Sequence, residues 1–69
     1  MSRLGQKLRK LRQQHGLTSR ELGAEFGVSN THIINIENGK KRPSIVLVER
    51  ISRYFEVTTD QLIKDELEV

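Results

Sequence analysis

The stretch that decides the fold runs from Thr18 to Gly39 and reads TSRELGAEFGVSNTHIINIENG. In its first half, Leu22 and Phe26 are one helical turn apart. In its second half, Ile33 and Ile36 are three residues apart. This spacing is typical of amphipathic helices that bury one apolar face. Each half is therefore predicted to form a short helix whose polar residues point away from the core.

The connection between these two helices is very short. Only Gly27 and Val28 separate Phe26 from Ser29, which is a good N-cap residue. A link of this length does not let two helices lie antiparallel, so they must cross at a steep angle as a helix-turn-helix. Gly23 lies inside the first of them, where glycine costs roughly 1 kcal/mol relative to alanine. We interpret it as a point of close approach by the next helix, with a merely tolerated glycine as the alternative.

Apolar spacing and capping residues predict three more helices outside this stretch. Leu4, Leu8 and Leu11 recur at i, i+4 and i+7 before it. After it, Ser44 is an N-cap and Thr58 begins a capping box. Strand-like alternation is absent, so the chain is predicted to be all-α, with one domain over residues 1–69. The predicted helices lie at approximately residues 2–14, 18–26, 29–37, 44–55 and 59–66.

Composition excludes several classes of protein. The chain has 69 residues, no cysteine and two histidines far apart in sequence, so neither a disulfide nor a metal site is expected. It has no paired acid and base cluster, no nucleophile beside a histidine and no phosphate-binding glycine loop. We therefore expect no catalytic residue, no cofactor and no enzymatic activity. No apolar run approaches the ~20 residues of a membrane span, so a cytoplasmic protein is expected.

The charge is distributed unevenly along the chain, although the net charge is only +3. Residues 1–12 carry five basic residues and no acid, and residues 40–53 carry five basic residues against one acid. The last part of the chain is acidic. Two basic blocks indicate either one face for a polyanion or ordinary solvated helix surface, and charge alone does not separate these interpretations.

The stretch from Leu8 to Ile63, LRKLRQQHGLTSRELGAEFGVSNTHIINIENGKKRPSIVLVERISRYFEVTTDQLI, resembles the phage repressor/Cro-type helix-turn-helix family, also called the Xre family. The residues that carry the resemblance are Leu11-Arg12, Gly16-Leu17-Thr18, Glu21-Leu22, Gly27-Val28-Ser29, Ile33, Ile36-Glu37-Asn38-Gly39, Pro43-Ser44 and Val57. The resemblance implies a lambda-repressor-like five-helix domain that binds double-stranded DNA, commonly as a homodimer on near-palindromic operators. We therefore expect a sequence-specific transcriptional regulator, most simply a repressor associated with the nucleoid.

In this family the third helix enters the major groove with its N-terminal residues facing the base edges. Carried over by position, the base-reading residues are Asn30, Thr31, Ile34 and Asn35. An asparagine can contact adenine in a bidentate manner, and the methyl of threonine can touch thymine. Ile34 either packs against a thymine methyl or is a solitary exposed apolar residue, and the sequence leaves both interpretations open.

The resemblance also implies which residues contact the DNA backbone. The loop GKKRP after the third helix would meet phosphates, and Ser29 would both cap that helix and donate to a phosphate. After the Thr18 cap the family often has glutamine, which braces the recognition helix. Here Ser19 reaches less far, and Arg20 can replace the contact with a charge. The expected phosphate-contacting residues are Ser19, Arg20, Ser29, Lys40, Lys41 and Arg42, and Lys7, Arg9 and Lys10 are candidates to extend this set.

Family counterparts of Arg12 and Glu37 often form a partly buried ion pair between the first and third helices, and we expect that pair here. Phe55 and Leu62 are expected to close the monomer core, whereas Ile63 and Leu67 are candidates for a dimer interface. The alternative function is a protein-interaction module, such as an antitoxin or a co-regulator, that binds a protein partner.

Overall fold

The computed structural model describes all 69 residues and contains five α-helices and no strand. They are α1 (Leu4–Gln14), α2 (Ser19–Phe26), α3 (Asn30–Glu37), α4 (Ile45–Phe55) and α5 (Thr59–Ile63). The predicted all-α class is confirmed. None of these helices has the length and apolar character that crossing a membrane requires.

Side-chain caps begin four of the five helices. The Thr18 hydroxyl accepts from the Glu21 N–H, and the Glu21 carboxylate accepts from the Thr18 N–H. These hydrogen bonds from Thr18 lower the pKa of Glu21. The same reciprocal capping box begins α5, and serine hydroxyls begin α3 and α4. Because each cap satisfies backbone N–H groups that have no partner within the helix, these starts follow from local sequence.

The core is a single cluster to which every helix contributes. Ile33, Ile51 and Leu62 have no exposed surface, and Phe55 is 6% exposed. Tyr54 was expected on the apolar face of α4 but is 38% exposed, because its ring lies at the edge of the core against the Phe26 and Phe55 rings. The twelve core residues are Leu4, Leu8, Leu11, Leu22, Phe26, Ile33, Ile36, Leu47, Val48, Ile51, Phe55 and Leu62.

Gly23 lies where α2 meets the start of α3. A Cβ atom at this position would lie 2.7 Å from the Val28 carbonyl oxygen and 3.3 Å from the Asn30 nitrogen. Both atoms belong to the backbone, which cannot rotate out of the way as a side chain can. The predicted close approach is confirmed, and it allows α3 to pack tightly against α2.

The last helix ends earlier than predicted, at Ile63 rather than residue 66, because α1 provides an alternative set of contacts. The Lys7 ammonium group is buried and donates to the carbonyl oxygens of Gln61 (2.6 Å) and Lys64 (2.7 Å). A cation at the C-terminal end of a helix satisfies its free carbonyls and complements its dipole. Lys7 is therefore a structural residue, and the proposal that it extends the phosphate-contacting set was wrong.

The first helix begins at Leu4, two residues later than predicted, and a residue from the far end of the chain caps it. The Asp65 carboxylate accepts from the Ser2 hydroxyl (2.6 Å) and from the Arg3 N–H (3.0 Å). The Arg3 guanidinium also donates to both carboxylate oxygens of Glu68, at 2.7 and 2.8 Å. Together with the Lys7 contacts, these bonds form a terminal clasp between residues 2–7 and 61–68.

The terminal clasp predicts an acid-sensitive component of stability. Hydrogen bonds from the Ser2 hydroxyl and the Arg3 N–H hold the pKa of Asp65 far below its ordinary value of 3.8. Because the pKa is lower in the folded state, ionised Asp65 stabilises the fold above that ordinary value. The contribution is lost as the pH falls below it. Asp65→Asn should therefore flatten the decline in unfolding free energy between about pH 5 and pH 2, as measured by urea unfolding.

The control for this experiment is Glu66→Gln, since Glu66 is exposed in the same segment and has no hydrogen bond or ion pair. That variant should keep the acid branch of the native protein. An Asp65→Asn protein with an unchanged acid branch would show that the clasp does not stabilise the fold.

Candidate nucleic-acid interface

Helix α3 has a buried face and an outer face along its whole length. Ile33 and Ile36 are buried in the core, whereas Thr31 and Ile34 are exposed, and Ile34 is 39% exposed. The positions 30 and 34 and the positions 31 and 35 are each one turn apart, so these four residues are neighbours on the helix surface. We call Asn30, Thr31, Ile34 and Asn35 the outer strip. The structure brings all four predicted base-reading residues together on it.

The two asparagines of the outer strip differ in their contacts. Both are half-buried. The Asn30 side-chain oxygen Oδ1 accepts from the Ser19 hydroxyl at 2.5 Å, which joins the first residue of α3 to the first residue of α2. The Asn35 side chain has no hydrogen bond within the protein. Asn35 therefore has both amide groups available to a ligand, whereas one group of Asn30 is already engaged.

The basic loop, Lys40, Lys41 and Arg42, is tied directly to the C-terminal end of α3. The backbone carbonyl of Asn35 accepts from the N–H of Lys40 (2.8 Å) and from the N–H of Lys41 (3.2 Å). Gly39 makes this turn possible because its φ of +78° is a conformation that favours glycine. All three basic side chains are exposed. The loop is thus held in a defined place beside the outer strip, with its charges free.

The remaining residues expected to contact phosphates lie at the N-terminal ends of α2 and α3. Arg20 and Ser29 are exposed. Ser29 accepts from the His32 N–H at 3.0 Å, which leaves its hydroxyl proton available. The Ser19 hydroxyl proton is engaged with Asn30, but the Ser19 backbone N–H belongs to the unpaired first turn of α2. Helix N-terminal N–H groups of this kind are good donors to an anion.

Arg12 and Glu37 form the ion pair between α1 and α3. Arg12 donates from Nε to one carboxylate oxygen of Glu37 at 2.7 Å and from Nη2 to the other at 3.0 Å. Arg12 also donates to the carbonyl of Leu17 at 2.9 Å, which attaches the segment before α2. Because Glu37 is buried and ends α3, this pair fixes the position of α3 relative to α1.

A second arginine joins the same carboxylate. Arg9 donates from Nε to Glu37 at 3.3 Å and from Nη2 to the side-chain oxygen of Asn38 at 2.7 Å. Sequence reasoning considered Arg9 only as an additional phosphate contact. Its position three residues before Arg12, on the same face of α1, was the available signal for this structural role.

The expected dimer residues Ile63 and Leu67 are each 38% exposed. Ile63 lines a shallow apolar groove with Met1, Pro43, Ile45 and Val48, but Leu67 does not belong to this groove. Ile45 is 80% exposed, more than any other large hydrophobic residue, and sequence reasoning missed it. The signal was its position outside the buried stripe of α4.

A family model described as helix-turn-helix, HTH_3, matches residues 8–62 of the chain. The control protein C.MunI from Mycoplasma sp is 36% identical over 64 residues, which cover 91% of this chain and 86% of that protein. The transcriptional activator BcrR from Enterococcus faecalis is 38% identical over 61 residues, which cover 88% of this chain but only 30% of that protein.

Two solved structures are similar over nearly the whole chain. The P22 c2 repressor in complex with a synthetic operator has a TM-score of 0.84 at 25% identity, with 91% of this chain and 96% of that chain covered. The N-terminal DNA-binding domain of SinR from Bacillus subtilis has a TM-score of 0.84 at 26% identity, with 99% and 100% covered.

Proposed function

The chain belongs to the helix-turn-helix family HTH_3, and from this premise we propose that it is a sequence-specific double-stranded DNA-binding regulator of transcription, most simply a repressor. The observation that carries the proposal is the outer strip of α3, which lies beside the basic loop. The family consists of DNA-binding regulators, which are not enzymes.

In the proposed complex α3 lies in the major groove with the outer strip toward the base edges. The free amide of Asn35 can donate to adenine N7 and accept from the adenine N6 amino group. Ile34 offers no hydrogen bond, but its exposed side chain can pack against a thymine methyl. Thr31 can pair with several bases. This arrangement reads sequence through chemical groups that differ between base pairs.

The DNA backbone is held by residues on both sides of the outer strip. On one side, the basic loop supplies three cations whose backbone is tied to α3. On the other side, Arg20, Ser29 and the N-terminal N–H groups of α2 and α3 face the second stretch of phosphates. Such contacts position α3 without reading sequence, and each neutralised phosphate adds about −0.9 to the slope of log affinity against log salt concentration.

We further propose that the regulator acts as a homodimer on a pseudo-palindromic operator at the nucleoid. A dimer would place two copies of α3 roughly 34 Å apart, which is one turn of DNA. The exposed apolar residues Ile45 and Ile63, with Leu67 beside the terminal clasp, support an interface at this end of the molecule. A bound dimer on an operator would block polymerase.

The alternative considered from the sequence, an antitoxin or co-regulator that acts only by binding a protein partner, is not favoured. Among the relatives are proteins named as transcriptional regulators, and one similar solved structure is a repressor–operator complex.

The experiment that tests the function is selection from a random pool of duplexes at about 100 mM salt, where nonspecific binding is weakened. We expect enrichment of a pseudo-palindromic motif with half-sites one turn apart. A pool without any enrichment would contradict sequence-specific binding. An enriched single half-site would contradict the homodimer alone.

The roles of the residues can be separated with two variants on the selected operator. Asn35→Ala should remove the preference at one base position, worth about 1–3 kcal/mol of discrimination, because its free amide is lost. Lys41→Ala should weaken all sequences alike and reduce the salt slope by about 0.9. Titrations by fluorescence anisotropy at several salt concentrations measure both effects. Unchanged base preference in Asn35→Ala would show that this side chain does not face the bases.

A further inference from the structure

We propose that Ser19 determines which base Asn30 reads, so that Asn30 prefers guanine and Asn35 prefers adenine. This inference rests on the proposed function and concerns the specificity of the same outer strip. It differs from the expectation that both asparagines are equivalent adenine readers.

The first step of the argument is the direction of the hydrogen bond between Ser19 and Asn30. The Ser19 Oγ and Asn30 Oδ1 oxygens are 2.5 Å apart. Two oxygens at hydrogen-bond distance require a proton between them, and only the hydroxyl of Ser19 carries one. The hydroxyl therefore donates, and the Asn30 carbonyl oxygen accepts.

The second step is that this bond orients the whole amide. The carbonyl oxygen of Asn30 points back toward α2, so the planar amide group directs its Nδ2 hydrogens away from Ser19. The backbone at Asn30 cannot shift to change this orientation, because its nitrogen lies at the close approach that Gly23 permits. Donation to the carbonyl also polarises the amide and strengthens its N–H donors.

The third step is the match with the base edges. A side chain that presents two N–H donors fits guanine, whose major-groove edge carries the neighbouring acceptors O6 and N7. Adenine carries one acceptor beside an amino group, which needs an acceptor that Asn30 has already committed to Ser19. Asn35, whose amide has no partner in the protein, still offers both groups and suits adenine.

The test compares base preferences at every operator position for the native protein and four variants, by competition binding with all single-base operator changes. Asn30→Ala and Asn35→Ala identify the position that each asparagine reads. We expect the Asn30 position to prefer guanine and the Asn35 position to prefer adenine. Ser19→Ala should shift the guanine-to-adenine ratio at the Asn30 position toward adenine by about tenfold. Ser19→Thr keeps the hydroxyl and should keep the guanine preference.

These outcomes separate a positioning role for Ser19 from a general effect on binding. A loss of affinity in Ser19→Ala that is equal for all operators, with an unchanged ratio, would overturn the inference. An adenine preference at the Asn30 position of the native protein would overturn it as well. In both cases the adenine preference that depends on Asn35 would persist, and the proposed function would stand. The absence of preference at every position would instead contradict the proposed function.

Discussion

Replacing Arg12 with methionine is expected to lower the free energy of unfolding by about 2–3 kcal/mol, because it leaves the buried Glu37 carboxylate without its bidentate partner. A fully isolated buried charge would cost more. Here Arg9 remains at 3.3 Å from the same carboxylate and offsets part of the loss. For a domain of this size, the loss is a large fraction of the total stability. Urea unfolding followed by circular dichroism measures it.

The double variant distinguishes orientation from net stabilisation. When Arg12 and Glu37 are both replaced with methionine, no charge is left buried without a partner, so the double variant should lose less stability than Arg12→Met alone. The control is Arg53→Met, which breaks an exposed ion pair with Glu49 at 3.8 Å and should change stability by less than about 0.5 kcal/mol. An Arg12→Met protein as stable as the control variant would mean that the buried pair has no structural role.

The second large effect is expected at Gly5, where alanine should destabilise the fold by about 2 kcal/mol although it favours helix formation. A Cβ atom at Gly5 would lie 2.4 Å from the carbonyl oxygen of Ile36 and 2.7 Å from that of Glu37. Both atoms belong to the backbone at the end of α3, so α1 and α3 would have to move apart. The cost of that separation exceeds the roughly 1 kcal/mol that alanine contributes within a helix.

Gln6→Ala provides the matched control, because Gln6 is the exposed neighbour of Gly5 in α1. Its unfolding free energy should stay within about 0.5 kcal/mol of the native value. Thermal and urea unfolding of both variants give the comparison. If Gly5→Ala proved more stable than the native protein, as helix propensity alone predicts, the close contact between α1 and α3 would be incorrect.

The number of helices, the places where they begin and the helix-turn-helix were predictable from the sequence alone. Their determinants act over a few residues: Thr18 and Glu21 cap α2 three positions apart, and Ile33 and Ile36 define the buried face of α3 by spacing. The outer strip follows from the same periodicity, since the residues that α3 does not bury lie on its other side. Their assignment to base reading came from the family resemblance.

Only the tertiary structure decided which side chains serve the site and which serve the fold. Lys7 and Arg9 have the composition of a DNA-binding surface, yet Lys7 caps α5, 54 residues away in sequence, and Arg9 contacts Glu37, 28 residues away. The Asp65 contact with Ser2 and the bond from Ser19 to Asn30 likewise join different segments of the chain. Local patterns state the charge and polarity of a side chain. The partner that satisfies it is chosen only when packing brings distant segments within hydrogen-bond distance.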